Sequence, residues 1–149
     1  NKNQKKYFFN KIIKRFYNDL NGKEFGVWGL SFKPGTDDMR ESPSIYIINI
    51  ILELGGVVKV YDPKAMKTAK EHYLKGLEGI CYCEDKYDVL DNSDGLILLT
   101  EWPEFRSPDF AMIKDKLKMP IIFDGRNQYN AEELEQMGFE YYQIGRSNK

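Results

Sequence analysis

Cysteine is scarce in this 149-residue chain, with Cys81 and Cys83 its only two. Thiols one residue apart build no disulfide framework, and they fit a reducing cytoplasm. Together with one histidine, His72, they fall short of the three or four convergent ligands that zinc needs. They read as two ordinary thiols near a strand, and no metal site is expected. No apolar run approaches the length that spans a bilayer, and no secretory signal opens the chain. Excess charge is missing too. Basic residues number 22 against 23 acidic ones, which argues against a sequence-independent nucleic-acid binder with its basic surface. The expectation is a cytoplasmic protein with neither nucleic acid nor membrane among its partners. Position 1 is not methionine, and the chain starts inside a polar helical pattern, as a segment cut from a longer protein would.

Two phosphate-binding loops are also absent. Neither G-x-G-x-x-G nor G-x-x-x-x-G-K-[ST] occurs. The nearest stretch, Gly26-Val27-Trp28-Gly29-Leu30-Ser31-Phe32, does not satisfy the first.

What the chain does have is 42% hydrophobic residues, enough for a single core in one domain of this length. Phe8, Phe9, Ile12, Ile13, Phe16 and Leu20 recur at helical spacing, predicting a first helix over 4–20 that Asn21-Gly22 ends. Such an apolar stripe must dock on its own domain or on a missing neighbour. Strands are predicted at 25–30, 57–61, 80–82, 95–99 and 121–123, with an edge strand at 139–142. Helices are predicted at 43–54, 64–73, 87–90, 109–117 and 131–137. Ser42 and Pro43 open the first of these, and Gly55-Gly56 stops it. Apolar strands alternating with helices mean βαβ units. The fold class is therefore α/β, a Rossmann-like three-layer domain with a mostly parallel sheet, preceded by an N-terminal helix.

In an open parallel sheet, ligands bind beyond the carboxyl ends of the strands. The unusual polar segments lie there. They are 31–43, Asp62-Pro63-Lys64, 100–105, and Asp124-Gly125-Arg126-Asn127. Lys33, Arg40 and Arg126 suit a phosphorylated ligand, and Phe32 or Trp102 suits a base or sugar. The plain alternative is that these segments are ordinary caps and turns. Asp62 stands where related folds place a ribose-binding acid, yet without the glycine fingerprint it reads better as a turn cap before Pro63. A phosphoacceptor receiver domain is the other layout weighed. It would need its acceptor Asp after strand three and a lysine after strand five, and neither fits.

At these residues the sequence resembles a known family. G-L-S-F-K-P-G-T-D-D-M-R-E-S-P over 29–43 is similar to the signature of the UDP-glucose/GDP-mannose dehydrogenase family's C-terminal domain. Tyr61-Asp62-Pro63, Thr100-Glu101-Trp102 with Phe105, and Phe123-Asp124-Gly125-Arg126-Asn127 recur there in the same order. The last two resemble its UDP-glucose branch more than its GDP-mannose or N-acetylmannosamine branches. The opening Asn3-Gln4 and following helix resemble the end of the helix that joins the family's two halves.

The resemblance implies residues 1–20 as the end of that linking helix and 21–149 as a nucleotide-sugar-binding domain. It implies oxidation of UDP-glucose to UDP-glucuronate in two hydride transfers to NAD, through a cysteine thioester. The cysteine, the catalytic lysine and most of the NAD site belong to the upstream half, so no catalytic residue is expected here, and neither Cys81 nor Cys83 matches the nucleophile. By the same resemblance Phe32, Lys33 and Arg126 contact substrate, and Arg40 reaches NAD. The other readings are ion pairs, Arg40 with Asp37, Asp38 or Glu41, and Arg126 with Asp124. Glu41 and Ser42 read mainly as helix N-terminal acid and cap. Implied partners are UDP-glucose, the chain's own N-terminal domain, and further copies in a homodimer or larger homo-oligomer. Two rival functions are a sister dehydrogenase acting on another nucleotide sugar, and a noncatalytic assembly module using the first helix.

Overall fold

Because side chains alternate across a strand, a strand covered on both faces must be apolar at almost every position. β1 (Glu24–Trp28), β4 (Gly95–Leu98) and β5 (Ile121–Asp124) meet that condition. In the computed structural model, which describes residues 2–144, they form the centre of a six-stranded sheet. β2 (Val57–Tyr61) and β3 (Ile80–Tyr82) extend it on one side and β6 (Glu140–Gln143) on the other. The order is β3-β2-β1-β4-β5-β6 and every pairing is parallel. This is the doubly wound order of a Rossmann fold, with its switch point between β1 and β4. The receiver-type order, in which the third strand lies beside the first, is excluded.

The alternation sorts the core into two layers. Phe25, Val27, Val58, Val60, Ile97, Leu99, Ile121 and Phe123 face α1 (Lys2–Arg15) and α2 (Pro43–Glu53). Trp28, Leu96, Leu98, Ile122 and Tyr141 face the other layer. That layer holds α4 (Phe110–Lys116), α5 (Ala131–Gln136) and the 3₁₀ turns Lys86–Leu90 and Pro103–Phe105. α3 (Met66–Thr68) is a single turn running into a π-helical turn, Ala69–Tyr73, where the sequence predicts one regular helix.

α2 starts where its cap residues require. Ser42 is extended (φ −67°, ψ 133°) and its hydroxyl accepts from Ser44 N at 3.2 Å, with Pro43 in the first turn. Glu41 lies before the cap in a left-handed conformation (φ 64°), so it is not part of the first helical turn.

α1 ends earlier than expected. Tyr17 and Asn18 adopt left-handed φ values of 56° and 61°, and Asn18 N donates to Ile13 O at 2.8 Å. That six-to-one bond closes the helix as a Schellman motif does, so the stop precedes the Asn21-Gly22 pair. Phe16 and Leu20 remain buried beyond it, Phe16 edge-on to Phe25 at 5.3 Å. The stripe Phe8, Phe9 and Ile12 is buried against the helix's own domain. The apolar surface proposed for pairing with another copy is therefore covered within this chain.

Polar contacts fix the same docking. Arg15 donates to Glu140 through Nε at 2.6 Å and Nη2 at 3.0 Å, and Lys11 Nζ reaches Gln143 O at 2.6 Å. The hydrogen bond from Arg15, reinforced by its charge, lowers the Glu140 carboxyl below its ordinary range. A lowered folded-state value means that this contribution is complete above the unfolded carboxylate range and is lost as pH falls through the folded value. Glu140→Gln is predicted to destabilise the protein by about 0.5–1 kcal/mol near neutrality. The gap between wild type and variant should close on acidification below about pH 4. Urea denaturation across pH checks this, and a gap that stays constant contradicts it.

Candidate functional site

Three loops leave the carboxyl edge of the sheet around the switch point, and one buried carboxylate ties them. Asp62, 1% exposed at the end of β2, accepts five N–H groups. Its Oδ2 takes Leu30 N at 2.7 Å and Ser31 N at 3.0 Å from the loop after β1. The same oxygen takes Trp102 Nε1 at 3.1 Å from the loop after β4. Oδ1 takes Lys64 N and Ala65 N, both at 2.8 Å, from its own turn. With its lone pairs so occupied, Asp62 is a loop clamp and not a ribose acceptor, in line with the turn-cap reading.

Trp102 is correspondingly buried and held, so of the two aromatics suggested for a base or sugar only Phe32, 45% exposed, is presented to solvent. The loops also cross-link directly, Thr100 Oγ1 donating to Ser31 O at 2.7 Å. Gly29 (φ +102°) is where β1 ends and the backbones approach, since a Cβ there would lie 2.5 Å from Thr100 N.

Asp124 does for the β5 loop what Asp62 does for the others. It is fully buried and accepts Arg126 N (2.9 Å) on Oδ1, and Gln128 N (2.7 Å), Tyr129 N (3.0 Å) and Tyr141 Oη (2.6 Å) on Oδ2. Its carboxylate holds the main chain of this loop, and the ion pair with the Arg126 side chain that was the alternative reading does not form. The guanidinium pairs instead with Glu101, Nε donating to Oε2 and Nη2 to Oε1 at 3.2 Å. Glu101 is a residue whose part in this edge sequence reasoning missed. Its signal was its place in the loop after β4, the strand that neighbours the one before Arg126.

The structure brings Phe32, Lys33 and Arg126 round one cavity of about 270 Å³. Its apolar wall includes Phe8 from α1 and Leu99. Gly125 contributes by having no side chain, because a Cβ would stand 3.2 Å from the Phe8 ring. Among the described residues Lys33 makes no salt bridge. Arg40 lies elsewhere, in a shallow polar cleft with Thr36, Thr68, His72 and Tyr73. It is paired with Asp38, Nη2 to Oδ2 at 2.8 Å and Nε at 3.1 Å to Oδ1, which matches one of its ion-pair readings. The hydrogen bonds from Arg40 hold the half-buried Asp38 carboxyl down at about 2.

His72 is thus placed beside Arg40, while Cys81 on β3 and Cys83 just past its end have their sulfurs 3.9 Å apart. Burial, then the neighbouring Cys81, pushes the Cys83 thiol up to about 12, which suppresses the thiolate a nucleophile needs.

Residues 26–131, from inside β1 to the start of α5, match the family model described as "UDP-glucose/GDP-mannose dehydrogenase family, UDP binding domain". The chain belongs to that family. It is 39% identical over 146 residues to the UDP-glucose 6-dehydrogenase of Rhizobium meliloti (strain 1021), covering 98% of this chain and 32% of that protein. A solved UDP-glucose dehydrogenase from Pyrobaculum islandicum is 32% identical with a TM-score of 0.76, over 96% of this chain and 29% of that one. The UDP-D-ManNAc dehydrogenase of Pyrococcus horikoshii is 25% identical with a TM-score of 0.72, over 95% of this chain and 30% of that one. The chain therefore spans about a third of the length of the relatives it matches. The family match takes in all three loops clamped by Asp62 and also Arg126.

Asp62→Asn would turn an amide N–H₂ toward N–H donors and leave at least two of them unpaired. The expected loss is about 2–4 kcal/mol of unfolding free energy in urea. A loss below about 0.5 kcal/mol would show that the carboxylate does not clamp these loops.

Proposed function

We propose that this chain is the C-terminal, nucleotide-sugar-binding part of a UDP-glucose 6-dehydrogenase. It holds UDP-glucose while NAD-dependent oxidation to UDP-glucuronate is carried out by groups outside this segment. The observation that carries the reading is the cavity at the switch point, where Phe32, Lys33 and Arg126 converge from two separate loops. Two cations suit a diphosphate, Arg126 by its fork and Lys33 as a point charge, and the exposed Phe32 ring suits the face of a base or sugar. Ligand phosphate would take the place of Glu101 on Arg126.

The cavity's size agrees with half a site. About 270 Å³ lies just under the ~300–1,000 Å³ usual for a whole ligand pocket, so the remaining surface would come from a second domain closing over the ligand. Closure of that kind excludes water and aligns the reacting carbon with nucleophile and cofactor. In this reading α1 is the end of the helix linking the two domains. The whole enzyme acts in the cytoplasm, as its sparse cysteines suggest, and as a homodimer or larger homo-oligomer, which the family resemblance implies.

This chain's own residues do not make a dinucleotide site. The β1 turn lacks the glycine fingerprint, and the hydroxyls of Ser42 and Ser44 at the start of α2 both donate to Leu30 O, at 2.7 and 2.8 Å. NAD is accordingly assigned to the rest of the enzyme, with Arg40, exposed on the rim, as this chain's contribution. The relatives at 35–39% identity are UDP-glucose 6-dehydrogenases, which favours UDP-glucose over the substrates of the sister enzymes.

Titration of UDP-glucose, GDP-mannose and UMP into ¹⁵N-labelled protein tests the reading. Backbone shifts are expected around residues 32–40 and at Arg126, largest with UDP-glucose, and about tenfold weaker binding in Lys33→Ala. A preference for GDP-mannose would move the substrate to the sister branch, and shifts remote from these loops would refute the site. The chain mixed with UDP-glucose and NAD should yield no NADH, and NADH above a no-protein control would place catalytic groups within it.

A further inference from the structure

α1 carries a lysine where its pattern calls for an apolar residue. Phe8, Phe9 and Ile12 are the buried stripe, and Lys5 stands three, four and seven residues before them, at the head of the same face. It is half-buried, whereas its neighbour Lys6 is exposed. Lys5 lines the 270 Å³ cavity, and also an adjoining groove of about 650 Å³ that shares Phe32 and Glu41 with it. Among the described residues it makes no hydrogen bond and no ion pair, and Glu41, though it lines both spaces, does not engage it. Partial burial of an ammonium without a carboxylate is unfavourable unless an anion arrives or the head group reaches water.

We propose that Lys5 is a third ligand-facing cation of this pocket, acting with Lys33 and Arg126 on the diphosphate of the nucleotide sugar. The inference rests on the nucleotide-sugar reading above. It adds a residue outside the matched stretch 26–131 and on a different element from the loops that the sequence pointed to. Three cations from α1, the β1 loop and the β5 loop approach the cavity from separate directions. A diphosphate can be held that way without a glycine-rich loop. Lys5 also links recognition to helix position, because any displacement of α1 carries one of the three charges with it.

Binding of UDP-glucose, UDP and uridine to the 149-residue chain tests this, with Lys5→Met, Lys5→Arg and Lys6→Met as variants. Methionine keeps the apolar stem and removes the charge, so a purely packing role leaves Lys5→Met unaffected. The expected result is about tenfold weaker UDP and UDP-glucose binding in Lys5→Met, with uridine binding changed less than about twofold. Lys5→Arg should restore most of the affinity, and Lys6→Met should match wild type.

Unchanged UDP-glucose affinity in Lys5→Met, in a protein that prefers UDP-glucose to uridine, overturns the inference and leaves the site reading standing. Equal losses in Lys5→Met and Lys6→Met also overturn it, because the effect would then be the general field of the helix. A wild-type chain that binds UDP-glucose no tighter than uridine removes the site reading, and this inference with it.

Discussion

The carboxyl edge of this domain depends on a carboxylate that has been taken out of water. An ionised side chain buried to the extent of Asp62 is costly unless its lone pairs are filled, and here five N–H groups fill them. Those donors come from the loops after β1, β2 and β4, so satisfying one charge sets three segments relative to one another. Asp124 repeats the device on the β5 loop, with three main-chain N–H groups and the Tyr141 hydroxyl. In both cases the charged group at the strand end is structural, and the residues left to meet a ligand are those its clamp pushes outward.

That division of labour explains the state of the arginines. The backbone beneath Arg126 is held by Asp124, while the guanidinium itself rests on Glu101, a partly exposed partner. Arg40 rests likewise on Asp38 at the surface. Exposed ion pairs are worth little in water, so exchanging a carboxylate for a phosphate at either position costs little. The loops are tied down by buried carboxylates while the pairing of their cations is exchangeable, which suits the half-site proposed above.

Much of the architecture was legible beforehand for a simple reason. β1, β4 and β5 are apolar on both faces, and Ser42-Pro43 with Gly55 brackets α2 by local backbone preference, so neither needs distant information. The early end of α1 was less legible, because Tyr17 and Asn18 are not strong stop signals and the apolar spacing continues to Leu20. The chain turns there and still buries Phe16 and Leu20. The π-helical turn at 69–73 was equally hidden, since a lengthened turn leaves no mark on apolar spacing. Phe32, Lys33 and Arg126, which line one cavity, were indicated by their loops and by the family resemblance. The pairing of Glu101 and the place of Lys5 on the cavity were not, because each depends on neighbours distant in sequence.

The sequence by itself determined the elements, the parallel sheet and the edge on which the unusual polar loops gather, because strand periodicity, cap chemistry and loop position are local properties. It also determined the family, through a fifteen-residue stretch that is one continuous loop with its cap. Only the tertiary structure decided which charges are in use. It committed Asp62 and Asp124 to backbone, set Arg40 apart from the pocket of Lys33 and Arg126, and placed Lys5 on that pocket's helical side. The pairing of Arg126 with Glu101, and of Asp62 with Leu30, Ser31 and Trp102, is settled by distances of about 3 Å between segments tens of residues apart, and no local preference in the chain encodes those.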